Sequence, residues 1–499
     1  METFLIPTAK RKQKLVHQHY LYTKRRVSKN SRKIYWRCEK RNICNSTIVT
    51  NADLHGGIEV LKNARRHTHE PDVTESARQR IMSNVREDAR ERPNVPPVAV
   101  LQDHLVNVDS EVLAALPERQ AMLRNVNRYQ NAGRPPIPQS LASLVILPPY
   151  NETLSGEPFL RFDSGQDDPD RILIFTTNAG LKDLARSRIL VSDGTFKTVP
   201  DVFYQLYTLH GEVMGKLYPL VYCLTMRKTE ETYRRIFAEV KSLTLQLNPP
   251  LQLLPQFIMT DMEAAVIQAA RAEFPGSVHK ICLFHFSQAI WRQVIGNGLK
   301  ADYHNPNDRT IRNDVQCLMS LPFVPETDIL QVFDLLIDHV DPRVLSIAEY
   351  VEATYVRGRR ARGRRRATPP LFPSNLWCAH ESVLNDLQRT TNEAEGWHSR
   401  FQRMLVSHHA SMWKFLEAVR KDQQDTSNQI TQILAGHRCV KHAIPRSYVI
   451  NHNQVKSIVS RYREYKDRDD ILLYLRSIGY HLKRHAAAGD DNSSDYASS

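Results

Sequence analysis

The sequence predicts a multi-domain α/β chain, with a small β-rich module first and a mixed α/β core interrupted by a helical insertion after it. Three observations predict this. Residues 1–72 are runs of aromatic, basic and β-forming residues (HYLYTKRR, KIYWRC, NSTIVTN, GIEVLKN). From Arg171 onward, apolar runs bounded by polar turns alternate with segments of helical period. The 499 residues also exceed what one compact core holds.

Composition narrows the class. Hydrophobic residues make up 41% and charged residues 24%, a globular balance. No run approaches the roughly 20 apolar residues of a membrane span. The opening METFLIPTAKRKQK lacks the apolar stretch of a signal peptide, so a soluble intracellular chain is expected. Lysine and arginine total 68 against 54 acids, a formal charge of +14, dense near the start and around Arg357–Arg366. That sign favours phosphate backbones through counterion release. Seven cysteines at scattered positions argue against a disulfide framework.

The elements follow in order. The first 72 residues read as a small antiparallel sheet, with Gly56-Gly57 as a turn. Residues 73–170 read as a helical and proline-rich connection: a helix over Thr74–Arg92, a break at ERPNVPPV, a second helix over Glu111–Gln130, then prolines at 135, 136, 138, 148 and 149. In 171–286, RILIF and SRILVSDGTF are strands, and DVFYQLYTLHGEVMGKLYPLVYCLTM is two long strands joined around His210–Lys216. A helix over TEETYRRIFAEVKSLTLQL has Thr229 as its cap and Tyr233, Ile236, Phe237, Val240 and Leu243 on one face. QFIMTD reads as a strand, MEAAVIQAARAEF as a helix and HKICLFHF as a strand. Residues 287–384 form a helical insertion with the basic tract VRGRRARGRRRATPP, which reads as a flexible loop suited to nuclear targeting or phosphate contact. A helix resumes at Ser382 and carries the core's final element within 385–430. Residues 431–499 are a helical region ending in a disordered tail, GDDNSSDYASS.

Two constellations carry chemistry. Cys38 and Cys44, then His67 and His69, supply two thiolates and two imidazoles, a complete tetrahedral shell for structural zinc. His17 and His19 are a rival pair. A module this small has a marginal core, and metal binding would add folding free energy. Asp193 ends the strand ILVSDGTF and Asp261 ends FIMTDMEAA; carboxylates at strand ends suit magnesium, although an aspartate there also serves as a turn former or helix cap. A meander beginning with an aspartate, then a helix, then a strand ending in another aspartate is an RNase H-like order, whose chemistry needs a third carboxylate from a later helix.

The stretches KLVHQHYLYTKRR, KIYWRCEKRNIC and HTHEP resemble a FLYWCH-type zinc finger, a relative of the WRKY fold. The resemblance implies structural zinc on Cys38, Cys44, His67 and His69, and a sheet that binds DNA or a protein. DGTF, TDMEAA, CLFHFSQA and TTNEAEGWHSRFQRM, in that order, resemble Mutator-like element (MULE) transposases over residues 171–420. That resemblance implies an RNase H-like domain in which the T-N-x-x-E signature (Thr391, Asn392, Glu395) supplies the third acid. Glu395 is preferred over Glu393, which lies on another helical face. Asp193, Asp261 and Glu395 would then hold two Mg²⁺ or Mn²⁺ ions for cutting and joining DNA phosphodiesters in the nucleus. Element ends and target DNA are the implied partners, with self-association in a transposition complex. The rival reading is a domesticated DNA-binding regulator without catalysis. Cys282 and His285 match the family's C-x-x-H element and read as a structural or metal-binding pair, with His279, His380 and His398 as further donors. Trp397 reads as packed in a helix interface. No nucleotide loop or serine nucleophile elbow is present.

Overall fold

The computed structural model describes residues 3–8, 12–28, 32–52, 57–196, 198–359, 361, 366–386, 392–405, 410–437 and 446–482. The expected tail, most of the arginine run, Gly56 of the expected turn and the segment before Asn392 lie outside the described residues. The chain divides into two compact units, residues 1–136 and 137–499.

The first unit opens with a six-stranded sheet in sequential order: β1 (Thr3–Pro7), β2 (Gln13–His17), β3 (Tyr20–Val27), β4 (Lys33–Cys38), β5 (Thr47–Asn51) and β6 (Val60–Lys62). All neighbours are antiparallel. Gln18 and His19, with φ of 52° and 61°, make the two-residue turn between β2 and β3. Leu15, Tyr22, Ile34, Trp36 and Ile48 form a small core with Cys38 and Cys44, and the indole of Trp36 donates to Thr50 Oγ1 at 2.9 Å.

Four helices follow: Val73–Glu91, Pro97–Leu105, Ser110–Ala115 and Arg119–Gln130. Two expectations change here. The expected break falls at residues 92–96, but Pro97 then opens a helix that was not expected, because proline at the first helical position loses no hydrogen bond. The single helix expected over Glu111–Gln130 is two, because Pro117 forces Leu116 into an extended conformation, with ψ of 153°.

The second unit is mixed α/β. Its seven-stranded sheet comprises β7 (Leu160–Asp163), β8 (Leu173–Thr176), β9 (Ile189–Thr195), β10 (Gln205–Val213), β11 (Lys216–Thr225), β12 (Phe257–Thr260) and β13 (Val278–Ile281). Their spatial order is β13-β12-β9-β10-β11-β8-β7. The strands from β9 to β7 pair antiparallel, whereas β12 runs parallel to both β9 and β13. Met214 and Gly215, with φ of 51° and 79°, close the β10–β11 hairpin.

Alternation along the strands sends side chains to two faces. Ile174, Leu190, Leu209 and Val221 pack against helices Asn178–Arg186, Glu230–Leu245 and Ala264–Glu273. Leu173, Phe175, Leu206 and Tyr222 pack against helices Asn392–Leu405 and Met412–Leu434. Thr229 caps the Glu230–Leu245 helix, and its five expected core residues are all buried.

The proline-rich stretch from residue 137 is part of this unit. Leu144, Ile146 and Tyr150 are buried, and β7 extends the sheet. The guanidinium of Arg171, 1% exposed, binds Asp163 at 2.6 Å and the carbonyls of Leu141 and Leu144 at 2.7 and 3.1 Å. The helices between residues 283 and 384 build their own core around Trp291, Leu318, Phe333 and Trp377. The C-terminal helices Arg446–Ser460 and Ile471–His481 belong to that core through Val459, Tyr474 and Ile478. At the described edge of the arginine run, Arg357 pairs with Asp334 and Glu352, and Arg359 forms a bridge with Thr368. No helix among the described residues is long and apolar enough to cross a membrane.

Candidate metal centres

The first centre lies at the end of β4. Cys38 closes that strand, and Cys44 follows the turn at residues 41–43, three residues before β5 begins. His67 and His69 come from the irregular segment after β6. Ligand atoms of all four lie within 4.8 Å of one another: Cys38 Sγ is 3.2 Å from His69 Nε2, and Cys44 Sγ is 3.3 Å from His67 Nδ1. Each imidazole offers one nitrogen inward and has the other held. Tyr22 Oη lies 2.8 Å from His67 Nε2, and His69 Nδ1 lies 2.8 Å from the carbonyl of Glu70. Outer partners of this kind set tautomer and ring orientation at zinc sites.

Tyr20 stacks on His67 with centroids 3.7 Å apart. Burial pushes the Cys38 thiol up. At Cys44 burial also pushes upward, but the backbone N–H groups of Thr68 and Ser46 outweigh it and favour the thiolate. Two thiolates and two imidazoles within reach of one ion make a complete four-ligand set, which fits structural zinc. His17 and His19 stand outside the cluster: His17 bonds Thr3, and His19 lies in the β2–β3 turn. The sequence reading did not pick out Tyr20 and Tyr22. Their two-residue spacing on a strand was the available signal.

The second centre lies where β9 and β12 end. Met259 pairs with Val191 in the parallel register, so two residues further along each strand Asp261 comes beside Asp193. Asp193 is 6% exposed and accepts from Gly194 N at 2.8 Å. Its other oxygen lies 3.1 Å from His398 Nε2. Asp261 is not the cap of the next helix. That helix begins at Ala264 and Glu263 holds the cap position, so the Asp261 carboxylate is left to the site.

β13 stops at Ile281, and the segment expected to continue it as a strand is helical. Cys282 is the N-cap residue of the Leu283–Gly296 helix, and His285 lies on its first turn. His285 Nδ1 is 3.1 Å from Asp261 Oδ1, and its Nε2 is 3.9 Å from Glu395 Oε1. The acids therefore meet through imidazoles: Asp261 and Glu395 flank His285, while Asp193 faces His398. Asp261 Oδ1, His285 Nδ1 and His398 Nε2 are buried and close to a partner, yet none is aligned for a hydrogen bond.

Glu393 faces elsewhere and accepts from the backbone N of Leu217 on β11 at 2.9 Å. Among the three further histidines considered, His279 bonds Thr260 and His380 bonds the carbonyl of Phe323, so only His398 joins this site. Cys282, His285 and Glu395 form a second cluster with ligand atoms within 4.8 Å. All six described cysteines are free thiols.

Electrostatics separates the two aspartates. Burial raises both, but around Asp193 the imidazoles of His398, His285 and His210 outweigh it and hold the carboxyl below its ordinary value. At Asp261 burial and the neighbouring Asp193 charge win over His285, and the carboxyl is raised. His285 stays well above its usual value despite burial, because Asp261 faces it. His210 falls to about 3 through burial and the His398 charge.

The helix bearing Glu395 is pinned from behind. Asp422, 1% exposed, accepts from Tyr222 Oη and from Trp397 Nε1, both at 2.8 Å. Arg400 approaches its second oxygen at 3.5 Å. Trp397 is packed in the interface, as expected, and stacks on Phe401. Asp422 went unnoticed in the sequence because an acid among the charges of a long helix carries no local signal of burial.

The fold and sites together define a chain with a zinc-type β module and a mixed α/β unit bearing clustered acids. Residues 5–69 match the model of the FLYWCH zinc finger domain, and residues 189–289 match that of the MULE transposase domain. The chain thus joins a FLYWCH zinc finger domain to a MULE transposase domain, the combination of a DNA-binding, transposase-like protein. The second match takes in Asp193, Asp261, Cys282 and His285 and ends before Glu395. Comparison with curated proteins yields no match.

Proposed function

We propose that the chain is a DDE-type transposase whose second unit is an RNase H-like nuclease core. The observation that carries this reading is the parallel register of β12 on β9, which sets Asp193 and Asp261 side by side, with Glu395 across His285. The order of β9–β13, a meander joined to two parallel strands, supports the same reading. Within it, residues 171–286 and 385–430 are the core, 287–384 the insertion and 1–72 the finger, with 73–170 and 431–499 flanking them.

Asp193, Asp261 and Glu395 would hold Mg²⁺ or Mn²⁺. The buried, unaligned Asp261 Oδ1 and the oxygen donors fit such a cation. When bound, a metal pair would activate an attacking hydroxyl and stabilise the leaving oxygen. The protein's own groups do the positioning. Gly194 N–H and His398 orient the Asp193 carboxylate. His285 stands between Asp261 and Glu395, whose charges would otherwise repel. Asp422 holds Trp397, two residues past Glu395, and so fixes the helix that carries the third acid.

Attack by water on a phosphodiester frees a DNA 3′-hydroxyl. Attack by that hydroxyl on a second phosphodiester joins the DNA and releases a new 3′-hydroxyl. DNA is the substrate, element ends and target alike, in a self-associated complex in the nucleus.

The test is strand cleavage in Mg²⁺ by the intact chain and by Asp193→Asn. The reading expects equal DNA binding and cutting only by the former. If both bind and neither cuts, a non-catalytic DNA-binding regulator replaces it.

A further inference from the structure

We propose that Cys282, His285 and Glu395 form a second zinc site, separate from the finger, and that zinc there withdraws Glu395 from the aspartate pair. The binding half stands without any cutting activity; the withdrawal half rests on the function proposed above.

The donor set argues for this. A thiolate sulfur, an imidazole nitrogen and a carboxylate oxygen suit borderline-soft zinc, whereas magnesium prefers oxygen alone. Ligand atoms of the three lie as close together as those of the finger, within 4.8 Å. Cys282 is fully buried at the start of the 14-residue Leu283–Gly296 helix. His285, three residues on, comes off the same face.

The surroundings complete the pattern. With His285 Nε2 3.9 Å from Glu395 Oε1, its Nδ1 lies 3.1 Å from Asp261 Oδ1, close enough for a small rotation to align them. A carboxylate behind a ligating imidazole is the usual outer partner of a zinc histidine. Asp193 is left aside with His398. Zinc at this position would hold Glu395 directly and Asp261 through His285, so two of the three acids would be engaged. Three protein ligands also leave one position for water, as in zinc sites that exchange.

Zinc content of the full-length chain tests it, measured by mass spectrometry after dialysis against micromolar free zinc. The parent should hold about two equivalents, and Cys282→Ala and the double variant Cys38→Ser/Cys44→Ser about one each. Glu395→Gln, at a half-buried position that burdens folding less, should weaken the second equivalent about tenfold or more. A parent that takes up only one equivalent, or a Cys282→Ala chain that keeps two, overturns the site.

For withdrawal, added zinc should slow Mg²⁺-dependent cutting, and a zinc-selective chelator should restore it. Cutting that is indifferent to zinc in a chain holding two equivalents overturns that half. A chain that holds two equivalents yet never cuts removes the nuclease and leaves the site. One that cuts but holds a single zinc does the reverse.

Discussion

Asp422 offers a sharp test of how the third acid is held. Replacing it with alanine leaves the buried Tyr222 hydroxyl and Trp397 indole N–H without their shared acceptor. Each orphaned donor costs roughly 1–3 kcal/mol, so Asp422→Ala should lose about 2–6 kcal/mol. Asp422→Asn is the control. Its carbamoyl oxygen can stand where both donors converge, and a neutral side chain escapes the burial that raises the Asp422 carboxyl. Its loss should stay below about 1.5 kcal/mol. Urea unfolding followed by tryptophan fluorescence reads the difference, because Trp397 and Trp413 report on this interface. At a urea dependence of about 2 kcal/mol per M the alanine variant's midpoint should fall by about 1–3 M. An alanine variant within about 0.5 kcal/mol of the parent, or an asparagine variant worse than alanine, would refute the reasoning.

Other perturbations follow from named contacts. On the nuclease reading proposed above, Glu395→Gln should cut DNA more than ~100-fold more slowly, since loss of a direct ligand would exceed the 10–100-fold typical of outer partners; Glu393→Gln, which loses the Leu217 backbone bond, should keep most of its cutting, and the reverse ranking in a cleavage assay would reassign the acid. Chelating zinc, or Cys38→Ser, should melt the β-sheet signal of residues 1–72 in circular dichroism, and a finger that stays folded without metal would contradict a structural role. Burial lowers His279 to about 4 from its ordinary 6.5, so the folded state resists its protonation. The stability this contributes is complete above pH 6.5 and falls away between about 6.5 and 4, by up to about 3 kcal/mol; His279→Gln should flatten that slope in urea titrations at stepped pH. Arg171→Ala strands Asp163 and two buried carbonyls and should cost roughly 3–5 kcal/mol in the same unfolding measurement.

Much was legible in the sequence because the relevant signals are local. Aromatic and β-forming runs placed β3–β6 of the finger and apolar runs placed β9–β11, while β1 and β2 lie outside those runs; helical spacing placed Tyr233 through Leu243 on a buried face. The four finger ligands could be named because strand ends and a short spacing bring them together over few residues. Errors arose where a neighbour outweighed local preference. CLFHF has strand-like composition, but β13 ends at Ile281 and the helix starting at Leu283 packs Phe286 and Ile290 into the insertion core. The stretch between the prolines, which read as a linker, instead sends Leu144, Ile146 and Tyr150 into a core, with Arg171 holding the carbonyls of Leu141 and Leu144.

By itself the sequence determined most of the strands and helices and which residues bring metal-binding chemistry, since backbone preference, side-chain periodicity and ligand type are written residue by residue. Tertiary structure alone decided which of those residues meet. The parallel register sets Asp261 beside Asp193, a buried acid shared by Tyr222 and Trp397 fixes the helix of Glu395, and His285 stands between Asp261 and Glu395. These depend on packing between segments up to two hundred residues apart in the chain. Packing energy depends on what surrounds a side chain, and no local pattern records its surroundings.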